Sequence, residues 1–223
     1  MERALVSVDV YGDFALFTNP QFKLDRMTYD VMTPSAARGV LNAIYSKPVE
    51  FFYEIKSIEV MRPIRHIDIK KNELKDGRIK SAKRSMFRDD DNTQRSNRYL
   101  RDVYYRITAY INTQEGFKGS VEALKDQFNR RVEKGKCFYQ PFLGTKECTA
   151  FFQSPDEDEQ PIHVDKDFGI MLYDVFNIHN NKPLNGNNSE EVLNIAFYDA
   201  VMRNGVIEVP SFKEIKERSK SYA

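Results

Sequence analysis

Several features of common protein classes are scarce in this 223-residue sequence. Two cysteines are too few for a disulfide framework or a four-cysteine zinc site, and the three histidines form no His-x-x-x-His pair. The apolar runs are short and interrupted by charges, so no stretch approaches the roughly 20 residues of a membrane span. The first nine residues lack the apolar core and the cleavage site of a secretory signal. We therefore expect a cytoplasmic protein with no membrane partner and no metal.

Common catalytic and cofactor motifs are missing as well. The sequence has no Walker A loop, no Gly-x-Gly-x-x-Gly and no nucleophile elbow, which excludes the usual nucleotide-binding and α/β-hydrolase classes and predicts no cofactor. Tryptophan is absent, but 16 Phe, 12 Tyr and a hydrophobic fraction of 41% supply enough apolar material for a core. That composition excludes a wholly disordered chain, and the length fits one large or two small domains.

The charge of the chain is nearly balanced in total but unevenly distributed. The net charge is +1, whereas residues 61–136 carry 20 Lys or Arg against 11 Asp or Glu, and residues 150–200 carry 2 against 10. A basic segment with a balance of +9 favours a phosphate-rich partner. The alternative is that these charges are spread over solvated faces after folding.

Hydrophobic periodicity predicts alternating strands and helices. The first helix begins at Pro34 with Thr33 as its cap and ends before Lys47-Pro48, and the second runs from Ser120 to Gly135. Residues 72–97 contain almost no aliphatic side chains, so we predict a mobile insertion within a hairpin. Period-two alternation and turn signals predict strands at 4–10, 49–61, 64–71, 99–112, 168–178, 192–202 and 206–209.

The order of these elements predicts an α+β fold. Over residues 1–150 the order is strand, helix, strand, strand, helix, strand, which is typical of a ferredoxin-like (RRM-like) domain. Residues 151–223 are predicted to form an antiparallel β extension with a charged tail. The sequence therefore predicts two parts, with a boundary at residue 150.

One segment combines stacked cations with aromatic residues. Arg130 and Arg131 are followed by Lys134-Gly135-Lys136 and then by the aromatic stretch 138–142. Cations at the end of a helix are also favoured by the helix dipole, and the aromatics could be ordinary core. Exposed aromatics beside cations are, however, what stacking and backbone contacts on single-stranded RNA require.

Six blocks of sequence, in order along nearly the whole chain, resemble one known family. They are residues 14–20, 29–48, 130–136, 142–147, 167–171 and 200–207, and the block around Tyr45 is the most specific. The chain is similar to the CRISPR-associated Cas5d family of the subtype I-C system, which belongs to the RAMP superfamily of endoribonucleases. The resemblance implies an RRM-like domain and a small β extension.

The resemblance also implies a function. Members of the family cut precursor CRISPR RNA within the repeat, at the base of a hairpin and without a metal. The expected products are a 2′,3′-cyclic phosphate and a 5′-hydroxyl. The protein would then stay on the 5′ handle, together with the other subunits of the type I-C surveillance complex. The alternative is a structural subunit that binds the RNA handle but has weak or no nuclease activity.

The resemblance assigns site residues in turn. The family's catalytic tyrosine corresponds to Tyr45, and its glycine-rich basic loop corresponds to the stretch around Gly135. Arg38 precedes Tyr45 by seven residues, so the two are expected to share an exposed helix face from which the Tyr45 hydroxyl points outward. The candidate RNA-binding residues are Arg38, Lys47, Arg130, Arg131, Lys134, Gly135 and Lys136.

The chain departs from the family pattern near the second helix. Some members carry adjacent lysine and histidine residues about seven positions before the arginine pair, and those positions hold Ala123 and Leu124 here. Neither side chain can perform that chemistry. Lys118 or Lys125 could supply the cation, and no histidine can take the other position. The catalytic candidates are therefore Tyr45 with Lys118 or Lys125.

Overall fold

One antiparallel sheet carries the fold. A computed structural model describes residues 3–22, 25–74, 92–180, 182 and 195–221. Over these residues eight strands form one sheet, in which each ladder between two strands is antiparallel, and three helices accompany it. The predicted α+β class with a mostly antiparallel sheet is confirmed.

The elements have the following bounds. The strands are β1 (Arg3–Ala15), β2 (Phe51–Val60), β3 (His66–Leu74), β4 (Asn92–Thr113), β5 (Phe151–Gln153), β6 (Lys166–Asp174), β7 (Ala196–Arg203) and β8 (Val206–Glu208). The helices are α1 (Pro34–Ile44), α2 (Val121–Glu133) and α3 (Phe212–Ser221). The order across the sheet is β5-β1-β4-β2-β8-β7-β6, and β3 pairs with β4.

The long strand β4 joins the two halves of this arrangement. Its C-terminal part pairs with β1 on one side and β2 on the other, whereas its N-terminal part pairs with β3. Asp102 lies between these parts and has φ of +52°, a left-handed conformation that is uncommon outside glycine. Gly12 lies opposite Val103 and Phe14 opposite Arg101, so the register with β1 is the same on both sides of Asp102. The strand therefore exchanges β2 for β3 as its second partner near Asp102 without a shift in its register with β1.

Period-two alternation on β1 separates a core face from an outer face. Ala4, Val6, Val8 and Val10 are buried, whereas Leu5 is exposed. Contacts of α2 with β1 and of α1 with β2 place both helices against the sheet. The two helices and the strands between them share one continuous apolar core.

Both predicted helices are confirmed. In α1, Thr33 is the N-cap and its hydroxyl accepts a hydrogen bond from the Ala36 N–H at 3.2 Å, with Pro34 at the first helical position. In α2, the buried side chains are Val121, Leu124, Phe128 and Val132, which lie on one face. Gly135 follows with φ of +60°, where a side chain would be strained.

The hairpin between β3 and β4 is longer than the composition predicted. Residues 75–91 lie outside the described residues, but the flanks 72–74 and 92–97 of the predicted insertion are strands in register, with Asn72 opposite Gln94. The expectation that these flanks belong to the insertion is wrong. The hydrogen bonds between paired strands join backbone groups and do not require aliphatic side chains. A low aliphatic content therefore does not show where the strands of the hairpin end.

The C-terminal strands extend the same sheet. β8 pairs with β2, and β7 and β6 follow outward from it. β5 begins directly after residue 150 and pairs with β1 at the opposite edge.

A buried ion pair fastens α1 to β6. The Arg38 guanidinium donates to both carboxylate oxygens of Asp174, at 2.8 and 3.1 Å, and both side chains are less than a tenth exposed. Asp174 also accepts hydrogen bonds from the Ser35 hydroxyl and from the N–H groups of Val175 and Phe176. The expectation that Arg38 lies on an exposed face is therefore wrong, because its guanidinium forms a buried ion pair with a carboxylate 136 residues further along the chain.

Replacing this arginine tests the importance of the pair. We expect Arg38→Met to lower the free energy of unfolding by about 3–5 kcal/mol, because the Asp174 carboxylate is left buried without its cation. Urea unfolding measures the change. Arg203→Met is the control, since Arg203 is an exposed partner of exposed Asp165 at 3.9 Å, and a change within about 0.5 kcal/mol is expected there. Equal stability of the two variants would contradict the structural role of Arg38.

Candidate active site

A hollow of ≈ 630 Å³ lies where the C-terminal end of α1 meets α2. Its polar lining comes from three separate segments of the chain, namely the loop after α1, the residues just before α2, and α2 itself as far as Arg131. The lining residues are Tyr45, Lys47, Glu50, Phe117, Gly119, Ser120, Ala123, Leu124, Gln127, Arg131 and Phe138. The structure thus brings Tyr45, Lys47 and Arg131 together, although Tyr45 and Arg131 are far apart in sequence.

Tyr45 is fixed by its backbone as well as by its ring. It is the C-cap of α1, with extended backbone dihedral angles, and its N–H donates to the Leu41 carbonyl at 2.9 Å. Its own carbonyl accepts a hydrogen bond from the buried Tyr53 hydroxyl at 2.8 Å. Burial is the main reason why the pKa of the Tyr53 hydroxyl is raised well above its usual value, and interaction with Tyr45 raises it further. The hydroxyl therefore keeps its proton and remains a donor.

The Tyr45 ring is packed rather than projected into solvent. Its centroid lies 5.2 Å from that of Phe51 and 6.3 Å from that of Phe138, and the residue is 3% exposed. The expectation of an outward hydroxyl on a shared helix face with Arg38 is wrong. The chain leaves the helix at Tyr45, so the seven-residue spacing no longer determines the direction of the side chain.

Arg131 joins α2 to the end of α1 and to the aromatic rings. Its guanidinium carbon is 5.3 Å from the centroid of the Tyr45 ring and 4.3 Å from that of Phe138. A terminal nitrogen donates to the Ile44 carbonyl at 3.2 Å, which satisfies a carbonyl at the helix end. Among the described residues, its buried Nε has no hydrogen-bond partner. Cation–π contacts of this kind hold both the ring and the charge in place.

Lys47 lies at the exposed side of the same hollow. Its ammonium donates to both carboxylate oxygens of Glu50, at 2.9 and 3.0 Å, while 45% of its side chain stays exposed. The hydrogen bond to Glu50 is the main cause of a raised pKa of Lys47, and interaction with Tyr45 raises it further. Glu50 was not predicted from the sequence, although its position three residues after Lys47 indicates a possible local pair.

The two lysines that the sequence offered as alternative catalytic candidates lie in different places. Lys118 is exposed and stands between Phe117 and Gly119, which line the hollow. Lys125 is not among the lining residues and approaches Glu122 at 3.7 Å. It is two positions after Ala123, which corresponds to about 200° around the helix, so it projects from the other side of α2. Ala123 and Leu124, which stand where the family pattern has a lysine and a histidine, both line the hollow.

A cationic loop continues from α2 beyond the hollow. Arg130, Lys134 and Lys136 are exposed, and the turn through Gly135 is closed by hydrogen bonds to the Val132 and Arg131 carbonyls. The Phe138 N–H then donates to the Ala43 carbonyl at 2.7 Å, which ties the loop back to α1. These cations have no ion pair with a described residue.

The basic charge of residues 61–136 divides into two parts. Six of its described cations form ion pairs on or beside the sheet: Arg62 with Glu159, Arg65 and Arg101 with Asp102, Lys71 with Glu147, Arg98 with Asp68 and Arg106 with Asp9. Carboxylates therefore neutralise much of the charge near the sheet. Among the described residues of 61–136, the exposed cations without an ion pair to another described residue are Lys70, Lys118, Arg130, Lys134 and Lys136, and the last three lie at the end of α2.

Two possible features are absent from the described part of the chain. No group of three His, Cys, Asp or Glu side chains there is arranged to hold a metal ion. No helix in residues 3–22, 25–74, 92–180 or 195–221 is long and apolar enough to cross a membrane.

Comparison with known proteins identifies the family. The sequence profile of the Cas5d group, described as a CRISPR-associated protein, matches residues 5–210, which include Tyr45, Arg131 and the cationic loop. The chain belongs to the CRISPR-associated Cas5d family. Residues that approach one another in the hollow thus all lie within the part of the chain that the family shares.

Two curated relatives and one solved structure resemble the whole Cas5d chain. A Mannheimia succiniciproducens protein is 35% identical, and the alignment covers 95% of this chain and 98% of that protein. A Thermus thermophilus protein is also 35% identical, and its alignment covers 94% of this chain and 93% of that protein. Both relatives are named CRISPR pre-crRNA endoribonuclease Cas5d. A crystal structure of a CRISPR-associated protein superposes with a TM-score of 0.68 at 26% identity and covers 96% of each chain.

Proposed function

We propose that this protein cleaves precursor CRISPR RNA within the repeat hairpin and then stays on the 5′ handle as a subunit of the type I-C surveillance complex. The observation that carries the proposal is the hollow in which Tyr45 lies beside two cations, Lys47 and Arg131. The names of the two relatives support an endoribonuclease activity.

The proposed reaction is an intramolecular attack within the RNA. Tyr45 reacts in its deprotonated form: it takes the proton of a 2′-hydroxyl and becomes neutral, the 2′-oxygen forms a bond to the adjacent phosphorus, and the bond from phosphorus to the 5′-oxygen breaks. The leaving 5′-oxygen takes a proton from water, so the products are a 2′,3′-cyclic phosphate and a 5′-hydroxyl. This chemistry needs in-line geometry and positive charge near the phosphorane, and it does not require a metal ion.

The cationic loop supplies the rest of the RNA site in this proposal. Arg130, Lys134 and Lys136 would contact phosphates, while Gly135 allows the backbone to turn closely. Phe138, half exposed beside Arg131, offers an aromatic face to an unpaired base. Arg38 no longer belongs to this set, because Asp174 holds its guanidinium inside the fold.

The finer architecture also remains our proposal. The order β5-β1-β4-β2 with α1 and α2 on one face supports a ferredoxin-like (RRM-like) unit, in which β4 takes the third strand's place. The division into a nuclease part and a C-terminal β extension is kept, with β5 assigned to the first part because it pairs with β1. The cytoplasmic location stays a prediction.

One observation favours a second candidate function. Ala123 and Leu124 line the hollow where some relatives of the family carry a lysine and a histidine. A hollow without those side chains could still hold the RNA handle. The alternative is therefore a structural RNA-binding subunit with weak or no cleavage.

Cleavage of the repeat RNA in EDTA distinguishes the two functions, and Tyr45→Phe tests the site. The substitution removes one oxygen and keeps the ring, so RNA affinity should change little while the single-turnover rate falls by roughly 10² or more. Tyr11→Phe, an exposed position on β1 outside the hollow, is the control and should cut normally. Tight binding without any cut by the parental protein would favour the structural subunit. Parental cleavage by Tyr45→Phe would show that Tyr45 is not the catalytic residue.

The positions of the two lysines give a further prediction. Lys118→Ala should lower the cleavage rate by roughly 10², because we propose that this rim lysine faces the phosphorane. Lys125→Ala should leave the rate near the parental value, since Lys125 projects from the other side of α2. Both rates are measured in a single turnover at saturating protein. A large loss for Lys125 alone would reverse the assignment.

Salt dependence tests the cationic loop. The affinity for RNA should fall steeply with salt, and Lys134→Ala or Lys136→Ala should each reduce the slope of log K against log salt by about 1. Arg98→Ala is the matched control, because Asp68 already holds that guanidinium. Fluorescence anisotropy with the labelled repeat measures the slopes. A flat salt response of the parental protein is incompatible with phosphate contacts at this loop.

A further inference from the structure

A second cavity, of ≈ 340 Å³, lies beside the N-terminal half of α1. Much of its wall is apolar and comes from three segments of the chain, which contribute Phe17, Phe142, Leu172 and Phe176. Phe17 and Leu172 are buried, whereas Phe142 and Phe176 are partly exposed. The cavity therefore offers preformed aromatic surface to a ligand.

The helix side of this cavity contains a glycine that the fold does not require. Gly39 also lines the cavity, lies at the middle of α1, five residues from either end, and is exposed. A glycine inside a helix makes the helix less stable than an alanine would. A Cβ built at Gly39 meets no atom within 4 Å, so close packing does not explain the glycine. The space that the missing side chain leaves is part of the cavity and is open to a ligand.

Hydroxyl groups give the cavity a small polar part. Thr18 and Ser35 both line it and are half-buried. The Ser35 hydroxyl donates to the Asp174 carboxylate at 3.1 Å, so its oxygen can still accept a hydrogen bond from a ligand. Among the described residues, no charged side chain lines the cavity, which therefore does not fit a phosphate. An unpaired nucleobase, a flat ring with donors and acceptors on its edge, matches this lining.

Helix α1 connects the cavity to the hollow around Tyr45. Ser35 and Tyr45 are ten residues apart, which corresponds to about 15 Å along a helix axis. Phe142, on another side of the cavity, follows the last cation of the cationic loop, Lys136, by six residues. An RNA strand with one phosphate at Tyr45 and others along this loop therefore passes within a few nucleotides of the cavity. This favours a base of the same RNA over a separate ligand.

We propose that this cavity binds one unpaired nucleobase of the repeat RNA and that Gly39 leaves the room for it. The inference rests on the RNA binding in the proposed function, but it does not depend on cleavage. The base would contact Phe142 and Phe176, with its edge near the hydroxyls of Thr18 and Ser35. Because a base in a duplex stays in its stack, the cavity would select RNA that is unpaired at this position.

Substitutions at Gly39 separate a role in binding from a role in the fold. Gly39→Ala should unfold about 2–4 °C above the parental protein, because the helix gains a better helix former and no atom is displaced. Gly39→Leu fills the cavity and should lower the affinity for RNA by roughly 5- to 100-fold, the usual contribution of one stacked base. Asn129→Leu is the matched control, since Asn129 is an uncharged position on α2 that lines neither cavity, and it should bind normally.

Two results would overturn the inference at this stage. A lower unfolding temperature of Gly39→Ala would show that the fold itself needs the glycine. Parental RNA affinity of Gly39→Leu would show that no part of the RNA enters the cavity.

Single abasic sites in the repeat RNA identify the occupant. Fluorescence anisotropy is measured with RNA that carries 2′-fluorine in place of each 2′-hydroxyl, so the proposed reaction cannot cut it. One abasic position in an unpaired segment should weaken binding to the parental protein by about the same factor as Gly39→Leu does. The same abasic site should cost Gly39→Leu nothing further, because the base is already excluded. Phe176→Ala, which removes a partly exposed ring and leaves α1 intact, should show the same coupling.

The outcomes of this experiment are distinct from those for the nuclease. If every abasic site costs the parental protein and the two variants the same factor, no base occupies the cavity and the inference is refuted, even in a protein that cuts natural RNA. Coupling between Gly39 and one abasic position in a protein that cuts no RNA supports the inference and refutes the nuclease.

Discussion

The pairing of β4 with three other strands is the constraint on which the rest of the structure depends. The 22 residues of β4 are enough for one part of the strand to pair with β1 and β2 and the other part with β3, and Asp102, with its left-handed backbone, lies between the two parts. The half that pairs with β2 fixes the position of Tyr53, whose hydroxyl holds the Tyr45 carbonyl. The geometry of the hollow therefore follows from the register of the sheet and not from α1 alone.

Near β1, the face of the sheet opposite α1 and α2 is organised around a buried carboxylate. Asp9 on β1 is fully buried, and it accepts hydrogen bonds from Arg106, from the Tyr104 hydroxyl and from the Asp156 N–H. Burial and the Asp9 carboxylate raise the pKa of Tyr104 to about 12, so that hydroxyl remains a donor. Arg62 and Glu159 pair nearby. The acidic segment of the sequence thus covers the sheet locally and neutralises cations that would otherwise attract phosphate.

Local sequence signals predicted the parts of this fold that depend on local interactions. The Thr33 cap, Pro34 and the apolar spacing of α2 were sufficient because a helix is stabilised by neighbours within one or two turns. The partner of Arg38 could not be predicted, since a spacing of seven residues says nothing about a carboxylate on β6. Tyr45 was identified as a candidate through the family resemblance, but the packing of its ring was not predicted. The direction of its side chain depends on where the helix ends, and the spacing of residues does not give that point. The helical wheel could have predicted that Lys125 lies away from the hollow, had Ala123 been taken to face it.

The departure from the family pattern has a physical consequence for the hollow. A site that stabilises a phosphorane needs positive charge at a fixed distance, and the element that carries the charge is less important than its position. Here Arg131 comes from the C-terminal half of α2 and Lys47 from the loop after α1, and each is anchored by a group that is not part of the substrate: the Ile44 carbonyl for Arg131 and the Glu50 carboxylate for Lys47. Apolar Ala123 and Leu124 line the same hollow and add no charge to it. The replacement of a lysine and a histidine by alanine and leucine therefore removes donors from α2, and the positive charge beside Tyr45 comes from Arg131 and Lys47.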